Sequence, residues 1–124
     1  MSSALAQLFT TGRVSDSFTI KGVEFRLVLL DTRILTQALE AASGARDDVA
    51  QSLEYKKQIL SRSIAQIDET VYFANEDDPQ SKEVQKVYEL LGKLHVSIIN
   101  GLFDKYEQMD TSYTEEVDKD LKNS

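Results

Sequence analysis

From Ser17 to Leu30 the chain reads SFTIKGVEFRLVLL, two apolar runs flanking Lys21-Gly22. A two-residue loop at that pair predicts a β-hairpin in which Ile20 faces Val23 and Phe18 faces Phe25. Because side chains alternate along a strand, Phe18, Ile20, Val23, Phe25, Leu27 and Leu29 share one face, while Thr19, Glu24 and Arg26 take the other. Gly22 supplies the positive φ that such a turn requires. An isolated hairpin is marginal in water, and fully burying each apolar side chain contributes about 1.5–3 kcal/mol. The six-residue face therefore calls for a cover from the helices downstream.

The period then changes from two to 3.6. Asp31 or Thr32 can cap a first helix with Ile34, Leu35, Ala38, Leu39 and Ala42 inward and Gly44 as its stop. Asp47 and Asp48 start a second, with Val49, Leu53, Leu60, Ile64, Ile67 and Val71 on one stripe and Glu54, Lys57, Arg62 and Gln66 toward water. This stripe passes through Lys56, whose alkyl stem can lie along apolar surface. The helix is expected to end near Asp68, followed by a short extended piece available as a third strand. Asn75 to Gln80 reads as a loop, and Ser81 or Pro79 opens the next helix, with Val84, Val87, Tyr88, Leu91 and Leu94 as its stripe. Gly92 is a break, after which Val96, Ile99, Leu102, Phe103 and Tyr106 form a displaced stripe of a further helix. The expected class is α+β, an N-terminal hairpin packed on three to four helices, with Phe18, Ile20, Phe25, Leu27, Leu53, Leu60, Ile64, Leu91 and Leu102 in the core.

The two ends read differently from the middle. Residues 1–14 form an arm with Leu5, Leu8 and Phe9 at helical spacing, ended at Thr11-Gly12; residues 15–109 form one domain; residues 110–124 form an acidic tail. In the tail Tyr113, Val117 and Leu121 recur every fourth residue among polar neighbours. Each end is too short or too polar to hold a helix alone: the arm either packs on its own domain or waits for a partner, and the tail either extends the last helix in a frayed form or becomes a helix only against a partner. Leu5, Leu8, Phe9, Tyr113, Val117 and Leu121 are therefore the expected partner-binding residues.

Composition narrows the classes. A chain of 124 residues accommodates one core, and the absence of cysteine removes disulfides and thiolate metal sites. No apolar run approaches the roughly 20 residues of a membrane span, and the first residues lack the basic start and apolar core of a secretory signal. A soluble, unexported protein without membrane partners is expected. Charge is uneven: 5 basic and 4 acidic side chains in 1–46, 3 and 5 in 47–75, 6 and 12 in 76–124. An acidic C-terminal half argues against binding a nucleic-acid backbone.

Chemistry is hard to find. His95 stands two residues before Ser97, and positions two apart on a helix point to different faces. Glu76-Asp77-Asp78 fails as a calcium loop, because a register starting at Asn75 puts Pro79 at position five, Gln80 at the obligatory glycine and Lys86 at the bidentate glutamate. A helix entry favoured by the dipole accounts for the cluster better. The glycines are too scattered for a phosphate loop, and Phe103 and Tyr106, three apart, read as core. The expectation is a protein with no catalytic residues, no metal and no cofactor.

The order of elements, a hairpin F-T-I-x-G-x-x-F-R-L-x-L-L, a short helix ending ALEAASG, a longer one ending SIAQID, an acidic loop and a helix ending LFDKYEQM, resembles the small tail-assembly chaperones and baseplate hub assembly proteins of tailed bacteriophages. The resemblance spans Phe18 to Met109 and rests on Gly22, Phe25, Arg26, Leu27, Leu30, Ile67-Asp68, Leu102 and Tyr106. It departs from that pattern after Asp68, where ETVYF replaces a tight glycine turn. The resemblance implies a non-enzymatic assembly protein of the host cytoplasm that binds a helical segment of a tape-measure or baseplate hub protein. A permanent, self-associating subunit of the virion tail and a small regulatory binder are the alternatives.

Overall fold

The hairpin forms in the register its pattern dictates. The structure, a computed structural model, describes residues 5, 14–44, 47–73 and 79–124. Strand β1 (Ser15–Ile20) pairs antiparallel with β2 (Val23–Val28), Phe18 opposite Phe25 and Ile20 opposite Val23. Lys21 and Gly22 both have positive φ, 49° and 82°, the combination of a type I′ turn. Leu29 N–H donates to the Val14 carbonyl at 2.8 Å, carrying the ladder one step further.

Helix α1 (Thr32–Ala42) starts at Asp31, whose carboxylate accepts the Ile34 N–H. Helix α2 (Asp48–Ser63) starts at Asp47, which accepts from Ala50 N–H in the same way. Both side chains satisfy a backbone donor that the first helical turn leaves without an internal partner.

α2 stops five residues short of Asp68, and this corrects the sequence expectation. Ile64–Ile67 form strand β3, and Thr70–Val71 form β4, giving an antiparallel sheet in the order β1-β2-β3-β4. Leu27 faces Ile64 and Arg26 faces Gln66, so Ala65 is the extra residue of a bulge. Ser63 makes the change of direction possible. Its buried hydroxyl donates to the Val28 carbonyl at 2.8 Å and accepts the Val28 N–H at 3.3 Å. The Ala65 carbonyl accepts from Tyr72 N–H (2.8 Å) and Phe73 N–H (3.3 Å). At the β3–β4 turn Asp68, with φ of 50°, takes the Glu24 N–H on its carboxylate and donates its own N–H to the Glu24 carbonyl.

Helix α3 (Ser81–Leu91) ends at Gly92, and α4 (Val96–Lys122) follows after a short turn, so the break at Gly92 is real. α2 packs on α1, α3 and α4, and α4 lies on β1. The main core joins Phe25, Leu27 and Leu29 to Ala38, Ile59, Leu60, Ile64, Val87, Leu91, Ile99, Leu102, Phe103, Tyr106 and Met109. The alternate residue Val28 joins Ala65 and Phe73 in a smaller cluster. The fold is α+β. Phe18, Ile20 and Leu53, expected in the core, are partly buried and pack against it.

Other inward assignments fail. Val49 is 81% exposed, and Leu39, Val71 and Val96 are exposed as well. Conversely, Glu54, Lys57, Arg62 and Gln66 are half-buried rather than turned fully to water. α4 runs on to Lys122, so the tail extends the last helix, one of its two expected states. Leu8, Phe9, Gly12 and the cluster Glu76-Asp77-Asp78 lie outside the described residues.

Candidate interaction surface

α4 is 27 residues long, about 40 Å at 1.5 Å per residue. Its buried side chains are Ile99, Leu102, Phe103, Tyr106 and Met109, and from Thr114 to its end every residue is exposed. Aromatic packing fixes the helix where it leaves the core. The Phe103 ring meets Tyr55 edge-on at 5.6 Å and Tyr106 at 6.2 Å, while Lys56 Nζ lies 5.7 Å from the Phe103 centroid and donates to Asn100 Oδ1. Tyr106 hydroxyl accepts the Leu30 N–H at 3.2 Å, tying α4 to the end of β2. Burial pushes the Tyr106 phenol up to about 12 against the opposing effect of that hydrogen bond, and the Asp110 carboxylate adds to the rise.

Three of the six expected partner-binding residues lie beyond this anchor on one helical row. Tyr113 is half-buried against the main core; Val117 is 39% exposed and Leu121 66%. Leu5 is helical and exposed. Beside Tyr113 a groove of about 290 Å³ opens between the start of β1 and α4. Its floor is apolar, from Val14, Phe18, Met109 and Tyr113, and its rim carries Asp16 and Glu116. Sequence reasoning found the row but missed the groove, because only the packing of α4 on β1 brings Val14 and Asp16 to Tyr113. A second depression, about 360 Å³, lies where Val49, Leu53 and the Lys56 stem meet Val96 and Asn100. The exposed Val49 and Val96 were its signal, disguised by their helical spacing with true core positions.

Several polar and titratable groups are held in local structure. His95 and Ser97 do meet, contrary to expectation. His95 is the extended N-cap of α4, outside the helical spiral, and its Nδ1 lies 2.8 Å from Ser97 Oγ and accepts the Ser97 N–H at 3.1 Å. Both residues are exposed, and the contact is a cap. Along α2, Arg62 donates to Gln58, Gln58 to Glu54, and Tyr88 of α3 donates to both Glu54 oxygens at 2.9 Å. Burial lowers the Arg62 guanidinium from its ordinary value. This polar seam joins α2 to α3. Among the described residues no group of three His, Asp or Glu side chains could hold a metal ion, and no helix is long and apolar enough to cross a membrane.

Comparison with known proteins returned no matching family model, no curated protein and no solved structure.

Proposed function

We propose that this protein is a non-enzymatic assembly factor that engages a helical segment of a partner through the C-terminal half of α4. The observation that carries the reading is the row Tyr113, Val117, Leu121, an apolar extension of the core seam that continues past the last buried residue of α4, Met109, and ends with Leu121 66% exposed. Isolated short helices are marginal in water, and an amphipathic helix gains most of its stability from an apolar face that something covers. A partner helix laid on the row supplies that cover.

The class of partner comes from the resemblance alone: a tape-measure or baseplate hub protein of a tailed phage, bound in the host cytoplasm. Co-expression with such proteins tests it. The full chain is expected to co-purify with one of them, and a chain lacking Thr114–Ser124 is expected to lose it while keeping its fold. Retention of the partner by the truncated chain would overturn the assignment to α4. A chain that self-associates through α4 and is present in purified virions would identify the permanent-subunit alternative instead.

A further inference from the structure

We infer that the partner segment is a basic amphipathic helix, seated on the Tyr113–Val117–Leu121 row with a lysine or arginine in the groove between Asp16 and Glu116. This rests on the reading of α4 as the docking element and specifies what docks there.

Charge makes the choice. From Asp110 to the end, the extension carries Asp110, Glu115, Glu116, Asp118 and Asp120 against Lys119 and Lys122. Among the described residues, the charged groups lining the groove are Asp16 and Glu116, both acidic. Its floor of Val14, Met109 and Tyr113 suits the alkyl stem of a long basic side chain, and the two rim carboxylates suit its cationic end. A polar rim around an apolar anchor is the usual anatomy of a specific interface, and complementary charge sets its selectivity and rate of encounter.

A second copy of this chain is a poor occupant for two independent reasons. Its own extension is acidic, so two would face each other with like charge. The apolar row also advances strictly by four, whereas a coiled coil repeats by seven. The residue seven after Tyr113 is Asp120, so any heptad seam built on Tyr113 places a carboxylate inside. A row spaced by four instead suits helices that cross steeply, ridge into groove.

Two designed peptides with one leucine pattern, one leucine/lysine and one leucine/glutamate, test the inference against the full chain by titration and backbone amide NMR. The leucine/lysine peptide is expected to bind roughly tenfold more tightly, more weakly as salt rises, and to shift amides of Val14–Phe18 and Met109–Lys122. Asp16→Asn with Glu116→Gln is expected to remove most of that preference at unchanged melting temperature. Val117→Ser with Leu121→Ser is expected to weaken both peptides. Equal binding of the two peptides at α4 would overturn the charge assignment and leave α4 as the docking element. Shifts confined to the Val49 and Val96 depression, or no binding at α4 by either peptide, would overturn the inference; the α4 reading itself would fall only if the Thr114–Ser124 truncation also kept its natural partner.

Discussion

Single side chains carry several of the decisive interactions. Phe25 is 4% exposed at the centre of the sheet face, and Phe25→Ala should cost about 3–5 kcal/mol in denaturant unfolding. Ser63 is fully buried and bonded twice to Val28, so Ser63→Ala strands a buried N–H and carbonyl and should cost about 1–3 kcal/mol. A loss within the scatter of surface substitutions would mean that β3 holds its place without that hydroxyl. Tyr106 links stability to pH. Its folded pKa, about 12, exceeds the ordinary 10.0, so its contribution is complete below pH 10 and disappears as pH rises through about 12. A gap of this size corresponds to about 2–3 kcal/mol. Tyr106→Phe should lower stability at neutral pH by about 1 kcal/mol, for the orphaned Leu30 N–H, and flatten the alkaline decline. Tyr55, raised by burial and then by Glu107 and Asp110, leaves some slope in that variant.

Among the elements, the hairpin and the helix starts are local in origin. Gly22 takes its positive φ without penalty, but Lys21 at φ 49° does not, since a Cβ crowds the left-handed region. Lys21→Asn should therefore stabilise the fold by about 0.5–1 kcal/mol, read as a higher unfolding midpoint with the same denaturant slope. The α2 to β3 junction has another origin. IAQI at 64–67 suits either the end of a helix or a strand, and its apolar spacing continued the α2 stripe. Pairing with β2 decides for the strand, because Ile64 then enters the core while its backbone joins the ladder. The same competition explains Val49 and Val96. Each continues a helical stripe, yet each lies in the first turn of its helix and stays exposed at the edge of the depression between α2 and α4.

At the scale of the molecule, α4 is both the lid of the core and a projecting arm. Removing Thr114–Ser124, all exposed, should leave the melting temperature within about 2 °C, whereas ending the chain before Met109 should lower it clearly by opening the contact with β1. A large shift from the shorter deletion, measured by calorimetry, would make the extension part of the core. What depends on neighbours in the chain was legible before any coordinates: the Ile20–Val23 register, a two-residue turn at Lys21-Gly22, helix starts at Asp31 or Thr32 and at Asp47-Asp48, and the separation of α3 from α4 at Gly92. The sequence also marked the Tyr113, Val117, Leu121 row, since four-residue spacing is visible without coordinates. Tertiary structure alone decided where α2 yields to β3, which apolar side chains stay uncovered, and that Val14, Asp16 and Glu116 meet beside Tyr113. Those outcomes depend on contacts between residues tens of positions apart, where a periodic pattern states that a face is apolar but not what comes to cover it.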